Sequence, residues 1–235
     1  MKIGIMQPYF MPYIGYFQLL NSVDKFIFLD DVNFIKSGWI NRNRILLNNK
    51  EYLFTIPLKD ASSNRLIYKT EINQNLFPKW KRKFLLSIQY SYSNAPFYNE
   101  TYDLICYIFD KKHTFISSLS IASIEAISNY LEISTIFETS STNYSRSMGE
   151  EKDARLIEIC KLNEASTYIN PSGGKTLYDK LYFKKHDIEL FFIENEITPY
   201  NQFKTPFIGG LSILDVMMFN STRDIKKMLT KYKIA

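Results

Sequence analysis

Asp30 and Asp31 stand side by side at the end of the apolar run Lys25 to Leu29, and Lys36, Trp39, Asn41, Arg42, Asn43 and Arg44 follow closely. Paired carboxylates can take a proton from an attacking amine or hold Mg²⁺. Lysine and arginine can neutralise phosphate, and an indole can stack on a base or a sugar. A strand end rich in aspartate is also an ordinary solvated loop. The density of these types argues for chemistry.

Other stretches offer partial motifs. The turn from Gln7 to Tyr16, with Tyr13 and Gly15 inside it, leads into a helix whose unpaired N–H groups favour an anion; a packed aromatic turn explains it equally well. Ser140-Ser141-Thr142, with Arg146 beyond, could grip phosphate or simply cap a helix. Pro171 to Thr176 contains Gly173-Gly174-Lys175-Thr176, but Ile169 stands where a phosphate loop needs glycine. A glycine turn into a helix is the better reading, and it can still approach a ligand closely. His113 and His186 lie among lysines and read as surface residues without metal-ligand spacing. Neither Cys106 nor Cys160 has a base nearby, and no G-x-S-x-G precedes a histidine and an acid in the required order, so a nucleophilic triad is not expected.

Local chemistry predicts the elements that position these groups. Ile3 to Met6 reads as a buried strand that Pro8 ends near Gln7, followed by a helix from about Pro12 to Asn21 and a second strand over Lys25 to Leu29. This βαβ-type start puts Asp30-Asp31 at the carboxyl edge of a parallel sheet, where ligands bind in open α/β folds. Glu51 to Leu58 is β-prone and Ile67 to Ile72 looks like its partner across the turn residues Asp60 to Asn64, as a hairpin or an edge addition to the sheet. Helical spacing covers Phe77 to Tyr90, with one basic side, then Tyr98 to Asp110 and Phe115 to Leu131. Further strands are expected at Ile133 to Phe137, Thr167 to Ile169 and Glu189 to Ile193, with helices at about Gly149 to Leu162 and Thr176 to Lys185. The alternation predicts an α/β fold: a Rossmann-like, mainly parallel sheet with helices on both faces, one domain over residues 1–235 with a helical elaboration at about 77–131.

The chain has 235 residues, enough for one sizeable core. Its formal charge of +5 comes from dispersed basic residues, so a nucleotide accounts for it as well as a nucleic acid does. Cys106 and Cys160 sit in apolar helical patterns and are expected as buried thiols in a reducing cytoplasm. Gln7, Pro8 and Pro12 interrupt the apolar start, which excludes a signal-peptide reading, and no apolar run reaches the roughly 18 residues of a membrane span.

Gln7-Pro8-Tyr9-Phe10-Met11-Pro12-Tyr13-Ile14-Gly15-Tyr16-Phe17, then Asp24, Phe28-Leu29-Asp30-Asp31-Val32, Lys36, Trp39 and Asn41-Arg42-Asn43 closely resemble the opening of the WbqC-like family. Ser140-Ser141, the Gly173-Gly174 loop with Tyr178-Asp179, Tyr200-Asn201-Gln202 and Leu211-Ser212-Ile213-Leu214-Asp215 extend the resemblance over essentially the whole chain. That family is associated with bacterial surface-polysaccharide (O-antigen) gene clusters, and the resemblance implies work on an activated amino sugar. The layout is also distantly similar to HIGH-motif nucleotidyltransferases and pantothenate-synthetase-like enzymes. Tyrosines stand near the positions of their signature histidines, and ATP with Mg²⁺ stays open as a cofactor.

The resemblance thus implies an enzyme that forms an amide on a nucleotide-linked deoxyamino sugar from an activated acyl or aminoacyl donor, aminoacyl-tRNA being the less favoured donor. A non-catalytic sugar-nucleotide-binding protein is the alternative. Asp30 or Asp31 is the expected base. Lys36, Arg42 and Arg44 would hold diphosphate or meet developing charge, Trp39 or Tyr16 would stack, and Ser140-Ser141 with Gly173-Gly174 would close the anion site. Gln7, Tyr13, Gly15, Asn41, Asn43, Tyr178 and Gln202 complete the implied binding set. Asp31→Asn is then expected to abolish turnover and leave the fold intact.

Overall fold

The computed structural model describes residues 1–203 and 206–235. Strand β1 (Lys2–Met6) buries Ile3 and Ile5, and Pro8, lacking an N–H, ends its ladder. Helix α1 is Ile14–Asn21, later than the expected start at Pro12, because the chain first turns through Met11 at φ +45° and Tyr13 stays extended as the N-cap. The Pro12 carbonyl instead receives the Ile213 N–H. Strand β2 (Lys25–Phe28) then lies parallel to β1.

The expected hairpin is corrected. Lys50–Thr55 (β4) pairs with Arg42–Leu47 (β3), not with Ile67 to Ile72; Ile67–Lys69 is a single 3₁₀ turn, and only an isolated bridge joins Leu58 to Ile72. Asn48 and Asn49 both have positive φ, 53° and 58°, the left-handed pair that a two-residue hairpin turn requires and that asparagine tolerates. Arg42, Asn43 and Arg44 are therefore strand residues rather than loop.

Helices α2 (Phe77–Tyr92), α3 (Tyr98–Asp110) and α4 (Ile116–Tyr130) follow as expected. Strand β5 is Ile136–Thr139, later than the expected Ile133 to Phe137. Glu132 turns left-handed at φ 56° and the Ile133 N–H returns to the Ser128 carbonyl, so Ile133 closes α4 instead of opening the strand. Next come α5 (Ser140–Asn143), α6 (Lys152–Leu162), β6 (Thr167–Pro171), α7 (Lys180–Lys184) and β7 (Glu189–Asn195). Asp179 caps α7 by accepting the Leu181 N–H, which delays that helix beyond the expected Thr176. The chain ends in α8 (Ile213–Phe219), α9 (Thr222–Leu229) and β8 (Tyr232–Ile234).

The strand order is β5-β2-β1-β6-β7-β8, parallel except for the antiparallel edge strand β8. Helices cover both faces, which makes the fold Rossmann-like. Helices α1, α8 and α9, the β3–β4 hairpin and α2 to α4 share one apolar core, while α6 and α7 bury Leu156, Ile157 and Phe183 on the other face. The chain leaves β1 in one direction and comes back beside it as β6. The order reverses there, and such a switch point opens a crevice at the carboxyl ends of the strands.

A buried carboxylate holds the hairpin side together. Asp215 accepts the Tyr92 and Tyr200 hydroxyls, each at 2.7 Å, and the Gln202 amide at 2.6 Å, while the Tyr92 hydroxyl receives the Leu46 N–H at 2.8 Å. Burial pushes the Asp215 carboxyl above the usual range, and its three donors pull against that shift. Tyr92→Phe keeps the ring but removes the hydroxyl that joins β3 to α8. We expect a loss of about 2 kcal/mol, read as a lower urea midpoint at unchanged slope.

Candidate functional site

Strands β2 and β5 run parallel with Phe28 opposite Thr139, so Asp30-Asp31 and Ser140-Ser141 leave the sheet at the same level. Two separate sequence signals become one cluster. The Ser140 hydroxyl lies 2.5 Å from Asp31 Oδ1 and 3.2 Å from Asp30 Oδ1, and it receives the Asp30 N–H at 3.1 Å. Ser141 donates its N–H to Asp30 Oδ1 at 3.0 Å and its hydroxyl to Oδ2 at 2.9 Å.

The two carboxylates differ in their counter-ions. Arg155, projecting from the first turn of α6, sets Nη2 2.5 Å from Asp31 Oδ2, and both side chains are buried. Asp30 has no cation among the described residues. Burial raises its carboxyl above the ordinary 3.8, helped by the neighbouring Asp31 charge and opposed by the Ser141 and Ser140 bonds. Arg155 was missed in the sequence reading, although a cation one turn before Ile159 in the buried stripe of α6 is a visible signal.

The hairpin flank is more self-contained than its composition implies. The guanidinium groups of Arg42 and Arg44 lie 5.7 and 5.3 Å from the Trp39 ring centroid. Arg42 donates to the carbonyls of Gly38 and Ser37, and Arg44 bonds Glu51 at 2.9 Å and the Gly210 carbonyl at 3.1 Å. Lys36 is exposed on the preceding loop. Asn41 and Asn43 are buried, and their amides donate to the carbonyls of Ile56 (2.9 Å) and Met11 (2.8 Å), which holds the hairpin against the β1–α1 turn. Tyr16 is 2% exposed and bonds the Gln7 carbonyl at 2.9 Å, which leaves its ring no free face for a ligand, whereas Trp39 is 41% exposed. Gln202 is buried in the Asp215 cluster.

Tyr13 is the N-cap of α1 and Gly15 lies in its first turn. The Tyr13 hydroxyl donates to Asn195 Oδ1 at 3.0 Å, and Asn195 Nδ2 donates to the Gly15 carbonyl at 3.1 Å, tying the turn to the end of β7. A Cβ on Gly15 would fall 2.3 Å from the Tyr13 ring. Gly15→Ala is expected to swing that ring away and lower stability by about 1–3 kcal/mol, measurable by thermal melting.

At the end of β6 the chain makes a 3₁₀ turn through Ser172–Gly174. A Cβ on Gly174 would meet Asn170 Nδ2 at 2.0 Å, whereas Gly173 faces open space. Lys175 bridges this turn to Glu194 of β7. Tyr178 stands beyond it, half-buried, its phenol pushed up to about 12 by burial, with Lys152 Nζ 4.7 Å from its ring centroid.

Asp30 and Asp31 face hydrogen-bond donors and a guanidinium, a set that does not suit Mg²⁺. Among the described residues no group of three or more His, Cys, Asp and Glu could hold a metal ion. Cys106 and Cys160 are both free, and burial pushes the Cys160 thiol up to about 12, away from reactivity. No described helix is long and apolar enough to cross a membrane.

A protein of Mycobacterium tuberculosis (strain ATCC 25618 / H37Rv), the uncharacterized protein Rv1507c, is 28% identical over 222 residues that cover 93% of each chain. No solved structure matches. The family model that fits describes the WbqC-like protein family and covers residues 7–227, from the turn after β1 into α9. The chain belongs to the WbqC-like protein family.

Proposed function

We propose that the chain is an enzyme of bacterial surface-polysaccharide biosynthesis that forms an amide on the amino group of a nucleotide-linked deoxyamino sugar. The observation that carries this reading is the unequal pair at the end of β2, in which Asp31 has its own cation and Asp30, raised by burial, has none among the described residues. Paired carboxylates whose environments differ are the usual basis for dividing structural and proton-transfer roles. The amine nitrogen attacks the carbonyl carbon of an activated acyl or aminoacyl donor, the new C–N bond forms, and the bond to the leaving group breaks. Asp30 takes the proton from nitrogen and returns it to the leaving group or to water. Trp39 stacks on the ligand, and exposed Lys36 meets its phosphate.

The test is to incubate the chain with dTDP- and UDP-linked amino sugars and, in turn, acyl-CoA, aminoacyl-tRNA, or an amino acid with ATP and Mg²⁺. Mass spectrometry should show the acylated sugar nucleotide with one donor. The 3% exposure of Asp30 favours a second reading, a sugar-nucleotide-binding protein without turnover. Binding with no amide from any donor would establish that reading instead. A tRNA donor draws support from α2, where Lys79, Arg82 and Lys83 are exposed and no acid occurs. Its affinity would fall steeply with salt.

A further inference from the structure

The β3–β4 hairpin has two edges, and the fold uses only one of them along its length. On β3 the Arg44 carbonyl receives the Ser212 N–H at 2.8 Å, and the Leu46 N–H donates to the Tyr92 hydroxyl at 2.8 Å. On β4 the alternation is fixed by the two-residue turn, which makes Leu47 and Lys50 a bonded pair, followed by Ile45 with Tyr52 and Asn43 with Phe54. Glu51, Leu53 and Thr55 therefore turn their N–H and C=O groups away from β3. Further along the same row, the Pro57 carbonyl receives the Asn73 N–H and the Lys59 N–H donates to the Glu71 carbonyl, each at 2.9 Å. At Glu51, Leu53 and Thr55 no backbone partner occupies the row among the described residues.

Open edges are commonly blunted by a charge or a proline. Here Lys50, Glu51 and Pro57 stand at the ends, and Tyr52-Leu53-Phe54-Thr55 between them carries neither. Leu53 is 45% exposed. A groove of about 170 Å³ runs beside this stretch, between Tyr52 to Thr55 on β4 and Trp80, Lys83, Phe84 and Ser87 on α2. Its floor is apolar, because Phe54 meets the Phe84 ring at 4.8 Å and Trp80 stacks on Phe84 at 5.2 Å. Its rim is cationic. Lys79 lies one turn before Lys83 on the same side of α2, the helix contains no acid, and neither lysine forms an ion pair among the described residues.

We propose that the β4 edge and α2 together bind an extended acidic segment of a partner protein by strand addition. The segment pairs its backbone with Glu51, Leu53 and Thr55, and its side chains opposite Tyr52 and Phe54 point toward α2, an apolar one into the groove and a carboxylate toward Lys83 or Lys79. Strand addition takes its affinity from main-chain bonds and its specificity from pockets for alternate side chains, and this surface offers both. The groove is smaller than the roughly 300 to 1,000 Å³ of small-molecule pockets, which suits single side chains. An RNA would supply the negative charge but not the alternating donors and acceptors that the edge presents. A second copy of this chain would bring two lysine-bearing helices together, which like charge opposes.

The probe is a labelled peptide, Thr-Val-Thr-Glu-Thr-Val-Thr-Glu, blocked at both ends and titrated with the full chain by fluorescence anisotropy. Its valines and glutamates share one face, and its threonines carry the N–H groups that would face β4. It should bind, and N-methylation of its two central threonines should weaken it by about tenfold or more, because the side chains stay while the edge bonds go. Replacing its glutamates by lysine should also weaken it, and the exposed-site variant Lys83→Glu should melt like the parent chain and reverse that preference. Leu53→Pro removes one outward N–H at an edge position that tolerates proline, and it should lower affinity for the unmodified peptide; the N-methylated peptide keeps the test valid if that variant fails to fold. No binding at millimolar peptide, or equal binding of the N-methylated peptide, overturns the proposal. So does binding of tRNA in place of the peptide, which would assign α2 to a nucleic acid, or a dimer that Leu53→Pro dissociates, which would assign the edge to a second copy.

Discussion

Asp31→Asn is expected to melt about 6–20 °C below the parent chain, the consequence of losing about 3–5 kcal/mol. The substitution leaves the Arg155 guanidinium buried without its counter-charge, and the Ser140 hydroxyl at 2.5 Å loses its charged acceptor. Removing one partner of a buried ion pair is costly because the desolvated survivor has no compensation, whereas removing both restores neutrality. The double variant Asp31→Asn with Arg155→Met should therefore recover a substantial part of the loss, and the cycle of four proteins should report a coupling of about 1–3 kcal/mol. Equal melting of Asp31→Asn and the parent chain would remove the buried pair from this account. The expectation drawn from sequence, that Asp31→Asn spares the fold, gives way to this one, because sequence alone does not reveal a partner more than a hundred residues away.

Asp30→Asn should have the opposite signature. As the proposed base, its removal should lower kcat by about 10²- to 10⁴-fold. Stability follows from the sign of its shift. A carboxyl raised in the fold favours the folded state fully when protonated, below 3.8, and that contribution is lost as pH climbs through the raised value. At neutral pH the Asp30 charge thus opposes folding, and a neutral amide is expected to melt within a few degrees of the parent, although its single oxygen accepts the Ser141 and Ser140 bonds less strongly and its nitrogen cannot accept the Ser141 hydroxyl. In the parent chain the acid limb of the kcat profile should lie above the ordinary aspartate value and vanish in Asp30→Asn. Turnover surviving that change would return the base assignment to another group.

Much of the architecture follows from local chemistry in the chain. The apolar strand stopped by Pro8, the helical spacing of α2 to α4 and the short apolar runs of β6 and β7 depend on neighbours a few residues apart, and those neighbours are visible in sequence. The position of Asp30-Asp31 at a strand's carboxyl end is legible for the same reason. Local pattern failed where two local solutions compete: Asn48-Asn49 claimed β4 for β3, and Glu132 turned Ile133 into a helix closure.

The residue types of the site were thus determined by the sequence itself, together with the edge of the sheet that carries them. Tertiary structure alone decided which groups are engaged and which are left over. Asn41, Asn43, Tyr16 and Gln202 have the chemistry of ligand-binding residues but are committed to the fold, because burial obliges each polar group to find a protein partner. Arg155 and Ser140 come together at Asp31 only when β2 and β5 are laid side by side. Parallel pairing brings together strands far apart in the chain, and no periodicity within any one of them records which strand will lie beside it.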